Sequence, residues 1–297
     1  MSNIKIKGHE SFYLREGWLR KGVCCIQDNE YILSDASKAV DILGVGSIMV
    51  KSIRYWLQAV GLTIEERGEL GRRKQRLTKS FGEIIFEEDP YFEDIGTIFL
   101  LHYKLASNRE LATSWYVFFN KINANEFTKT DVESAIKYDI FKDDSELKVS
   151  DKSIQDDCNC IIKTYSYEKS DLENPEDNMV CPFSELGLLA KNHIKDKELL
   201  IEKLKPNKRK LNELIVLYVI LDRLGDKKSV SINNLIEDDC NIGKIFNIDK
   251  NDINEYLDKL MDLGYLKITR TAGLNTVYPL VNSKDIECIL RKYYKKN

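Results

Sequence analysis

Apolar and polar side chains follow the period of a helix between residues 44 and 62, GVGSIMVKSIRYWLQAVGL. At about 100° per residue, each set of positions gathers on its own side of the helix. The apolar set is Met49, Ile53, Trp56, Leu57 and Val60. The polar set is Ser47, Lys51, Arg54, Tyr55 and Gln58. The pattern predicts one amphipathic helix that has Ser47 as its N-cap and ends at Gly61.

The polar face of this helix carries long hydrogen-bond donors and no carboxylate, which favours an anionic partner. The preceding segment, DASKAVDILGVG at residues 35–46, predicts a shorter helix that stops at Gly44. Two helices joined by a glycine turn are the order of a helix-turn-helix motif, whose second helix enters the major groove of DNA. A helical hairpin packed in an all-α core is the alternative reading of the same pattern.

A basic stretch without acidic residues follows at residues 71–79, GRRKQRLTK. The next segment, FGEIIFEE at residues 81–88, alternates in a way that predicts a strand. Together they predict a basic wing that binds backbone phosphates, whereas a solvated loop is the alternative. The residues predicted to bind nucleic acid are Ser47, Lys51, Arg54, Tyr55, Gln58, Arg72, Arg73, Lys74, Arg76 and Lys79.

The rest of the chain predicts two more regions. Residues 93–200 are rich in aromatic residues and helical in composition, with an acidic loop. Residues 201–297 predict three helices and a hairpin that turns at residues 272–275, the order of a second winged helix. The fold class is therefore mainly α (α+β), with residues 1–92 forming an N-terminal winged helix-turn-helix region.

The second winged helix differs from the first in its charge. Its third helix presents Asn254, Glu255, Asp258 and Asp262, which would repel phosphate and favour a protein contact such as a homodimer interface. The C-terminal segment LRKYYKKN is read either as a solvated tail or as a segment that touches a DNA backbone.

Composition limits these readings. The 297 residues are 43% apolar, which supports packed cores, and the net charge of −3 confines any DNA contact to local patches. The chain has neither a signal-peptide pattern nor a membrane-length apolar run, so we expect a cytoplasmic protein with no membrane partner. Three cysteines, Cys158, Cys160 and Cys181, could bind a metal, although they lack the paired C-x-x-C spacing of structural zinc. Packing in the core is the alternative, and the sequence leaves both open.

Three segments carry a family resemblance: GHESFYLREGWLRKG at 8–22, LGVGSIMVKSIRYWL at 43–57 and DPYFEDIGTIFLLHYKLASN at 89–108. With them the chain resembles a bacterial domain family of unassigned function, encoded beside sulfur-transfer enzymes in DNA phosphorothioation and phage-defence clusters. It is similar to the SspB nickase component of single-strand phosphorothioation systems. The resemblance covers most of the first two hundred residues, and the C-terminal winged helix rests on pattern alone.

The resemblance implies a DNA-binding partner of the sulfur-transfer proteins, and for SspB-like members a nickase. A nickase most often uses carboxylates that hold a divalent metal. The candidate catalytic residues are His9, Glu10, Asp89 and Asp94, with Glu10 and Asp89 as ligands of Mg²⁺ or Mn²⁺.

Each of these candidates also has a structural interpretation. Asp89 precedes a proline and suits a turn, Asp94 suits the first turn of a helix, and His9 suits a hydrogen bond to a loop. The alternative functions are a non-catalytic DNA-binding subunit, similar to a transcription regulator, and a protein adaptor of the modification complex.

Overall fold

The computed structural model describes residues 4–68, 71–142, 147–166, 180–195, 198–271, 274–282 and 285–296. In the first region the elements are α1 (Trp18–Asp28), α2 (Ala36–Leu43), α3 (Ser47–Ala59), β1 (Thr63–Arg67), β2 (Arg73–Leu77) and α4 (Gly82–Glu88), with a 3-10 helix at Ile32–Ser34. In the middle region they are α5 (Ile95–Ser107), α6 (Thr113–Asn120), β3 (Glu126–Thr128), α7 (Lys129–Phe141), α8 (Asp151–Tyr165), β4 (Leu189–Lys195) and β5 (Glu198–Lys203), with a 3-10 helix at Pro182–Leu186. The last elements are α9 (Glu213–Leu224), β6 (Val230–Ser231), α10 (Ile232–Glu237), α11 (Ile242–Phe246), α12 (Lys250–Asp262), β7 (Leu266–Thr271), β8 (Leu274–Pro279) and α13 (Ile286–Lys296). The chain is thus rich in helices and carries three small antiparallel sheets, ordered β1-β2, β3-β5-β4 and β6-β8-β7.

Helix α3 confirms the amphipathic helix that the sequence predicts. Ile53, Trp56 and Leu57 are almost completely buried. The N-cap is Gly46 rather than Ser47, and Ser47 is the first helical residue. Gly61 has a φ of 74°, the left-handed conformation expected just past a helix end.

The strand predicted at FGEIIFEE is wrong, because these residues form α4. Phe81, Ile84 and Ile85 are buried at helical spacing, which the sequence also permits. Gly82 opens the helix against the preceding chain, and a Cβ there would lie 2.0 Å from the Leu62 carbonyl oxygen. The second strand of the hairpin is the basic stretch itself, β2.

The hydrophobic core is continuous through the described chain. One cluster of buried side chains runs from Leu14 through Trp56, Phe119 and Leu217 to Tyr293. Strand β5 crosses the predicted boundary at residue 200 and pairs with both β3 and β4. The three regions therefore share their buried surfaces.

The C-terminal segment is not a solvated tail through residue 296, which corrects that reading, whereas Lys292 and Lys295 stay exposed and the DNA contact stays a prediction. Its residues form α13, which packs against α9 and α4. Arg291 makes ion pairs of 2.8 Å with Glu87 and 3.1 Å with Glu88. The Tyr293 hydroxyl donates to Asp94 Oδ1 at 2.6 Å. Side-chain contacts thus join α13 to α4 and to the start of α5.

The second hairpin, β7 and β8, forms where the sequence predicts it, and residues 272 and 273 of its turn lie outside the described residues. None of the helices that the structure describes has the length and apolar character that a membrane span requires.

Candidate nucleic-acid interface

The hairpin β1–β2 is fixed to α3 by a buried glutamine. Gln75 is 2% exposed, and its Nε2 donates to Thr63 Oγ1 at 2.6 Å and to the Arg54 carbonyl at 3.3 Å. Its backbone nitrogen donates to the Glu30 carbonyl at 2.8 Å, which ties β2 to the segment after α1. These bonds hold the hairpin beside α3, where a basic wing is expected.

The exposed part of α3 is its N-terminal half. Ser47, Ile48 and Lys51 are exposed, whereas Arg54 and Gln58 are half-buried. The predicted exposure of Tyr55 is wrong, because this side chain is only 4% exposed. The N-terminal segment folds over it so closely that a Cβ on Gly8 would lie 2.4 Å from the Tyr55 ring.

Several predicted DNA-binding cations are paired within the protein. The basic stretch has no acidic residue of its own, but the antiparallel register places Glu65 opposite Gln75 and Glu66 opposite Lys74. Carboxylates of β1 therefore reach the cations of β2 and α3 across the ladder. The ion pairs are those of Arg54 and Arg73 with Glu65, Arg76 with Glu66, and Lys74 with Glu30.

The closest of these pairs joins Arg54 to the hairpin. Arg54 Nε donates to Glu65 Oε2 at 2.6 Å, and Arg73 Nη1 lies 3.2 Å from Glu65 Oε1. Glu65 thus accepts hydrogen bonds from both arginines, and its bond with Arg54 links α3 to β1. Hydrogen bonds from Arg76 lower the pKa of the Glu66 carboxyl, so this pair is ionised at neutral pH.

Three predicted cations remain available to a ligand. Lys51, Arg72 and Lys79 are exposed, and no carboxylate in the described part of the chain pairs with them. The Arg72 guanidinium carbon lies 4.9 Å from the centre of the Tyr31 ring, which holds this side chain by a cation–π contact.

A surface cleft of about 660 Å³ lies between the start of α2 and the hairpin. It is lined by Ser34, Asp35, Ala36, Lys38, Arg54, Arg72 and Arg73. Asp35 caps α2 by accepting from the Lys38 backbone nitrogen. We name this cleft, together with the exposed residues Ser47, Lys51 and Lys79 outside its lining, the basic cleft. The cleft itself brings α2, α3 and the hairpin to one surface.

Sequence reasoning missed Lys38 and two exposed isoleucines. Ile42 is 61% exposed and Ile48 is 52% exposed, on α2 and at the start of α3. Both lie off the buried stripe of their helices, and that offset is a signal in the sequence. Exposed apolar side chains at the start of a groove-binding helix can contact thymine methyl groups.

The catalytic candidate His9 lies in a buried network rather than in a cleft. Its side chain is 0% exposed, and Nε2 lies 2.7 Å from Asp157 Oδ1. The same oxygen accepts from the Lys7 backbone nitrogen at 2.9 Å, and Asp157 Oδ2 accepts from Ser114 Oγ at 2.5 Å. This network fastens the N-terminal segment to α6 and α8. The arrangement argues against the predicted catalytic role of His9, since solvent and substrate do not reach the ring.

Asp89 and Asp94 are engaged in capping bonds. The Asp89 oxygens accept from the backbone nitrogens of Glu93 at 3.1 Å and Asp94 at 3.0 Å. Asp94 is the N-cap of α5 and accepts from the backbone nitrogens of Gly96 and Thr97. The turn and helix-start interpretations of these two residues match the structure.

The predicted metal ligands Glu10 and Asp89 are not gathered into a cluster of three or more ligands in the described part of the chain. Within the described ranges, no group of three or more His, Cys, Asp or Glu side chains is placed to hold a metal ion. Both Asp89 oxygens already accept from backbone amides, and none of the contacts joins Asp89 to Glu10. Glu10 itself lies on a turn with a φ of 51°.

The three cysteines with open roles are buried free thiols. Burial raises the pKa of the Cys181 thiol to about 12 and also raises the pKa values of Cys158 and Cys160. These thiols stay protonated at neutral pH, whereas a metal ligand or nucleophile needs the thiolate. Their arrangement matches core packing.

The solved structures that this chain resembles include two crystal structures of SspB. A magnesium ion-bound crystal structure of SspB superposes with a TM-score of 0.88 at 29% sequence identity, covering 98% of this chain and 88% of that chain. A second SspB crystal structure superposes with a TM-score of 0.85 at 28% identity and the same coverage. No curated protein matches the chain.

Family comparison covers almost the whole chain. Residues 6–294 match the family described as protein of unknown function, DUF4007. This match includes the C-terminal region, whose winged helix is predicted from the hydrophobic pattern alone. The chain therefore belongs to the DUF4007 family.

Proposed function

We propose that the protein is the DNA-binding component of a bacterial DNA phosphorothioate-modification and defence system. The similarity to SspB over 98% of the chain supports the assignment to such a system. The observation that carries DNA binding is the set of exposed cations without carboxylate partners among the described residues, Lys51, Arg72 and Lys79, of which Arg72 lines the cleft together with Lys38, Arg54 and Arg73. Unpaired cations are what a phosphate backbone requires of a protein whose net charge is −3.

Within this proposal the residues of the basic cleft have separate roles. Ser47, Ile48 and Lys51 start α3 and reach base edges in the major groove, where N-terminal residues of such helices make their contacts. Arg72 and Lys79 hold backbone phosphates and supply affinity that does not depend on sequence. Arg54 stabilises the hairpin through Glu65 and contributes less to binding than its sequence position suggests.

The partners that follow from this proposal are DNA and the sulfur-transfer proteins of the same system. A homodimer through α12 is a further proposal. The acidic face of α12 is partly neutralised within the chain, since Lys208 pairs with Glu255 at 2.7 Å and Arg270 with Asp258 at 2.8 Å. A dimer interface there would use the remaining Asp262 and the neighbouring apolar Met261, which is 40% exposed.

Charge reversal tests the proposed DNA surface. We expect the double variant Lys51→Glu/Arg72→Glu to weaken duplex DNA binding at least about thirtyfold, because two attractions become repulsions. The matched control is Lys227→Glu/Lys228→Glu, which changes the net charge equally on an exposed loop after α9. Fluorescence anisotropy with a labelled duplex measures both. Equal loss in both variants, or no binding by the wild type, would contradict the proposal and favour a protein adaptor.

Nicking of DNA is a second candidate function, supported by the similarity to magnesium ion-bound SspB. Mg²⁺ or Mn²⁺ would then bind with the substrate phosphates, since Mg²⁺ often uses only one or two carboxylates together with phosphate oxygens. Metal-dependent conversion of supercoiled plasmid to open circles, abolished by EDTA, tests this function. Cleavage that survives Asp89→Asn would remove Asp89 from the candidate ligands, and Glu10→Gln tests the other.

A further inference from the structure

A second cavity lies on a surface that the proposed function does not use. It has a volume of about 110 Å³, is partly open to solvent and lies between the start of α1, the turn between α4 and α5, and the 3-10 helix at Pro182–Leu186. Its walls include Leu19, Phe92, Ile98, Leu101 and Phe183. All five wall side chains are buried, so the interior is apolar.

Two arginines with unsatisfied donor atoms also line this cavity. Arg15 Nε and Arg20 Nη1 are buried atoms without a hydrogen-bond partner among the described residues. Neither side chain makes an ion pair in that part of the chain. Both side chains are half-exposed, but these two buried donor atoms lack an acceptor, and a ligand that supplies oxygen atoms would satisfy them.

Aromatic stacking holds both guanidinium groups in place. The Arg20 guanidinium carbon lies 3.7 Å from the centre of the Tyr91 ring, and that of Arg15 lies 5.4 Å from the Trp18 ring. Stacking leaves the in-plane N–H groups available, which is the geometry that recognises carboxylate and phosphate oxygens.

The helix that borders the cavity adds to the positive potential. Gly17 is the N-cap of α1, no side chain caps the helix, and its first turn carries no acidic residue. The partial positive charge of the helix N-terminus is therefore unopposed within the helix. It reinforces the two arginines and would not act as a site without them.

The mouth of the cavity has the opposite charge. Glu16, Glu93 and Glu185 line it and are exposed. Three carboxylates at the entrance repel a strand that carries a phosphate at every nucleotide. This repulsion grows with the number of charges on the ligand, so it disfavours a nucleic-acid strand far more than a small ligand with one anionic group.

We propose that this cavity binds a compact organic anion, with a phosphate or carboxylate head group on Arg15 and Arg20 and a body of about one ring against the apolar wall. The size follows from the volume, which is below the roughly 150 Å³ of an enclosed apolar cavity that accommodates benzene, so the body is at most one ring and reaches into the open mouth. This site is separate from the basic cleft, and its test does not depend on DNA binding.

Titration calorimetry of the full chain with phenyl phosphate and with benzoate tests the proposal, and the two probes distinguish the head groups. We expect one site with a Kd below about 1 mM for at least one probe. Inorganic phosphate should bind more weakly than phenyl phosphate, because it lacks the body. No binding of either probe at about 10 mM would overturn the proposal.

Variants locate the site. We expect Arg15→Gln and Arg20→Gln each to weaken binding at least about tenfold, since each removes a charge-assisted hydrogen bond. Lys21→Gln is the matched control, an exposed cation next to Arg20 on α1, and should leave the Kd unchanged within about twofold. Val180→Trp enlarges a lining side chain without substituting either arginine and should also weaken binding. Binding that survives all three cavity variants would overturn the assignment.

Two further titrations keep this proposal apart from the proposed function. A 5′-phosphorylated oligonucleotide that displaces phenyl phosphate from the cavity would contradict the preference for small ligands. Arg15→Gln and Arg20→Gln should bind duplex DNA as the wild type does, whereas Lys51→Glu/Arg72→Glu should bind phenyl phosphate as the wild type does. A variant pattern in which both ligands respond to the same residues would overturn the separation of the two sites.

Discussion

At the scale of single residues, Asp157 has more influence on the fold than any of the predicted catalytic side chains. It is 1% exposed and accepts from His9, Ser114 and the Lys7 backbone nitrogen. Removal of this acceptor leaves two buried donors and one partly buried donor without this partner. The N-terminal segment that it fastens covers Tyr55 and so shapes the accessible part of α3.

We expect Asp157→Ala to lower the free energy of unfolding by about 3 kcal/mol, because buried donors lose their charged acceptor. Asp156→Ala is the matched control, since Asp156 is the adjacent residue and makes a partly exposed pair with Lys7. Loss of the pair between Asp156 and Lys7 should lower the free energy of unfolding by at most about 1 kcal/mol. Chemical denaturation measures both, and equal effects would contradict the role assigned to the network.

The buried His102 predicts a pH dependence of stability. Burial lowers its pKa from 6.5 to about 4. Nε2 lies 2.8 Å from the Ile245 carbonyl and Nδ1 lies 2.7 Å from the Tyr165 hydroxyl, an arrangement that the neutral ring satisfies on both sides. Between pH 6.5 and about 4, this histidine is protonated in the unfolded chain and neutral in the folded chain. The free energy of unfolding therefore falls as the pH falls through this range.

The expected loss between pH 6.5 and about 4 is about 3 kcal/mol from this residue. His102→Gln should remove that part of the pH dependence, whatever its effect on stability at neutral pH. Denaturation curves at several pH values for both proteins measure the difference. The same slope in both proteins would show that His102 is not the group responsible.

At the scale of elements, sequence patterns predicted what depends on local periodicity. The stripe of Ile53, Trp56 and Leu57 fixed α3 and its buried face, and Gly44 and Gly61 marked helix ends with positive φ. The sequence patterns did not predict α4. The alternation of apolar and polar residues at 81–88 fits a strand, but the same residues also fit the apolar stripe of a helix. Packing of Gly82 against Leu62 and Thr78 at the base of the hairpin decides between strand and helix. Tyr55 was misplaced because only the folded N-terminal segment, distant in sequence, covers it.

Charge pairing was likewise beyond the sequence. The stretch 71–79 contains no acidic residue, yet β1 lies beside it in the register that sets Glu65 and Glu66 against it. The charges along the chain therefore predict more unpaired cations on the hairpin than the structure has. The unpaired set, Lys51, Arg72 and Lys79, follows only from strand pairing and exposure.

Gly82 offers a direct test of the α4 contact. A Cβ there would lie 2.0 Å from the Leu62 carbonyl oxygen, so Gly82→Ala should destabilise the protein by about 2 kcal/mol or more through overpacking. Gly46 has a φ of −64° and open space where an added methyl group would lie, which makes Gly46→Ala the matched control. Its effect should stay below about 1 kcal/mol. A Gly82→Ala variant with the wild-type free energy of unfolding would contradict the close approach of α4 to Leu62.

At the scale of the whole molecule, the described regions behave as one packed unit. Tyr103 donates to Asp222 at 2.5 Å, and Tyr116 donates to Asp239 at 2.6 Å, which joins the middle helices to the last region. Tyr293 reaches back to Asp94 from the other end of the chain. The core is shared in the same way.

We therefore expect calorimetric unfolding in a single transition, with equal calorimetric and van't Hoff enthalpies, because the regions share their buried surface. Two resolved transitions would show instead that the regions predicted from the sequence unfold independently.

The salt dependence of DNA binding tests the basic cleft most directly. The logarithm of the affinity falls with the logarithm of the salt concentration by about 0.9 for each neutralised phosphate. A salt-titrated anisotropy measurement of the wild type and of Lys51→Ala/Arg72→Ala counts those contacts. We predict that the wild type binds with a steep slope and that the variant's slope is shallower by about two. No measurable binding at low salt, or an identical slope in the variant, would contradict the assignment of the basic cleft as the DNA surface.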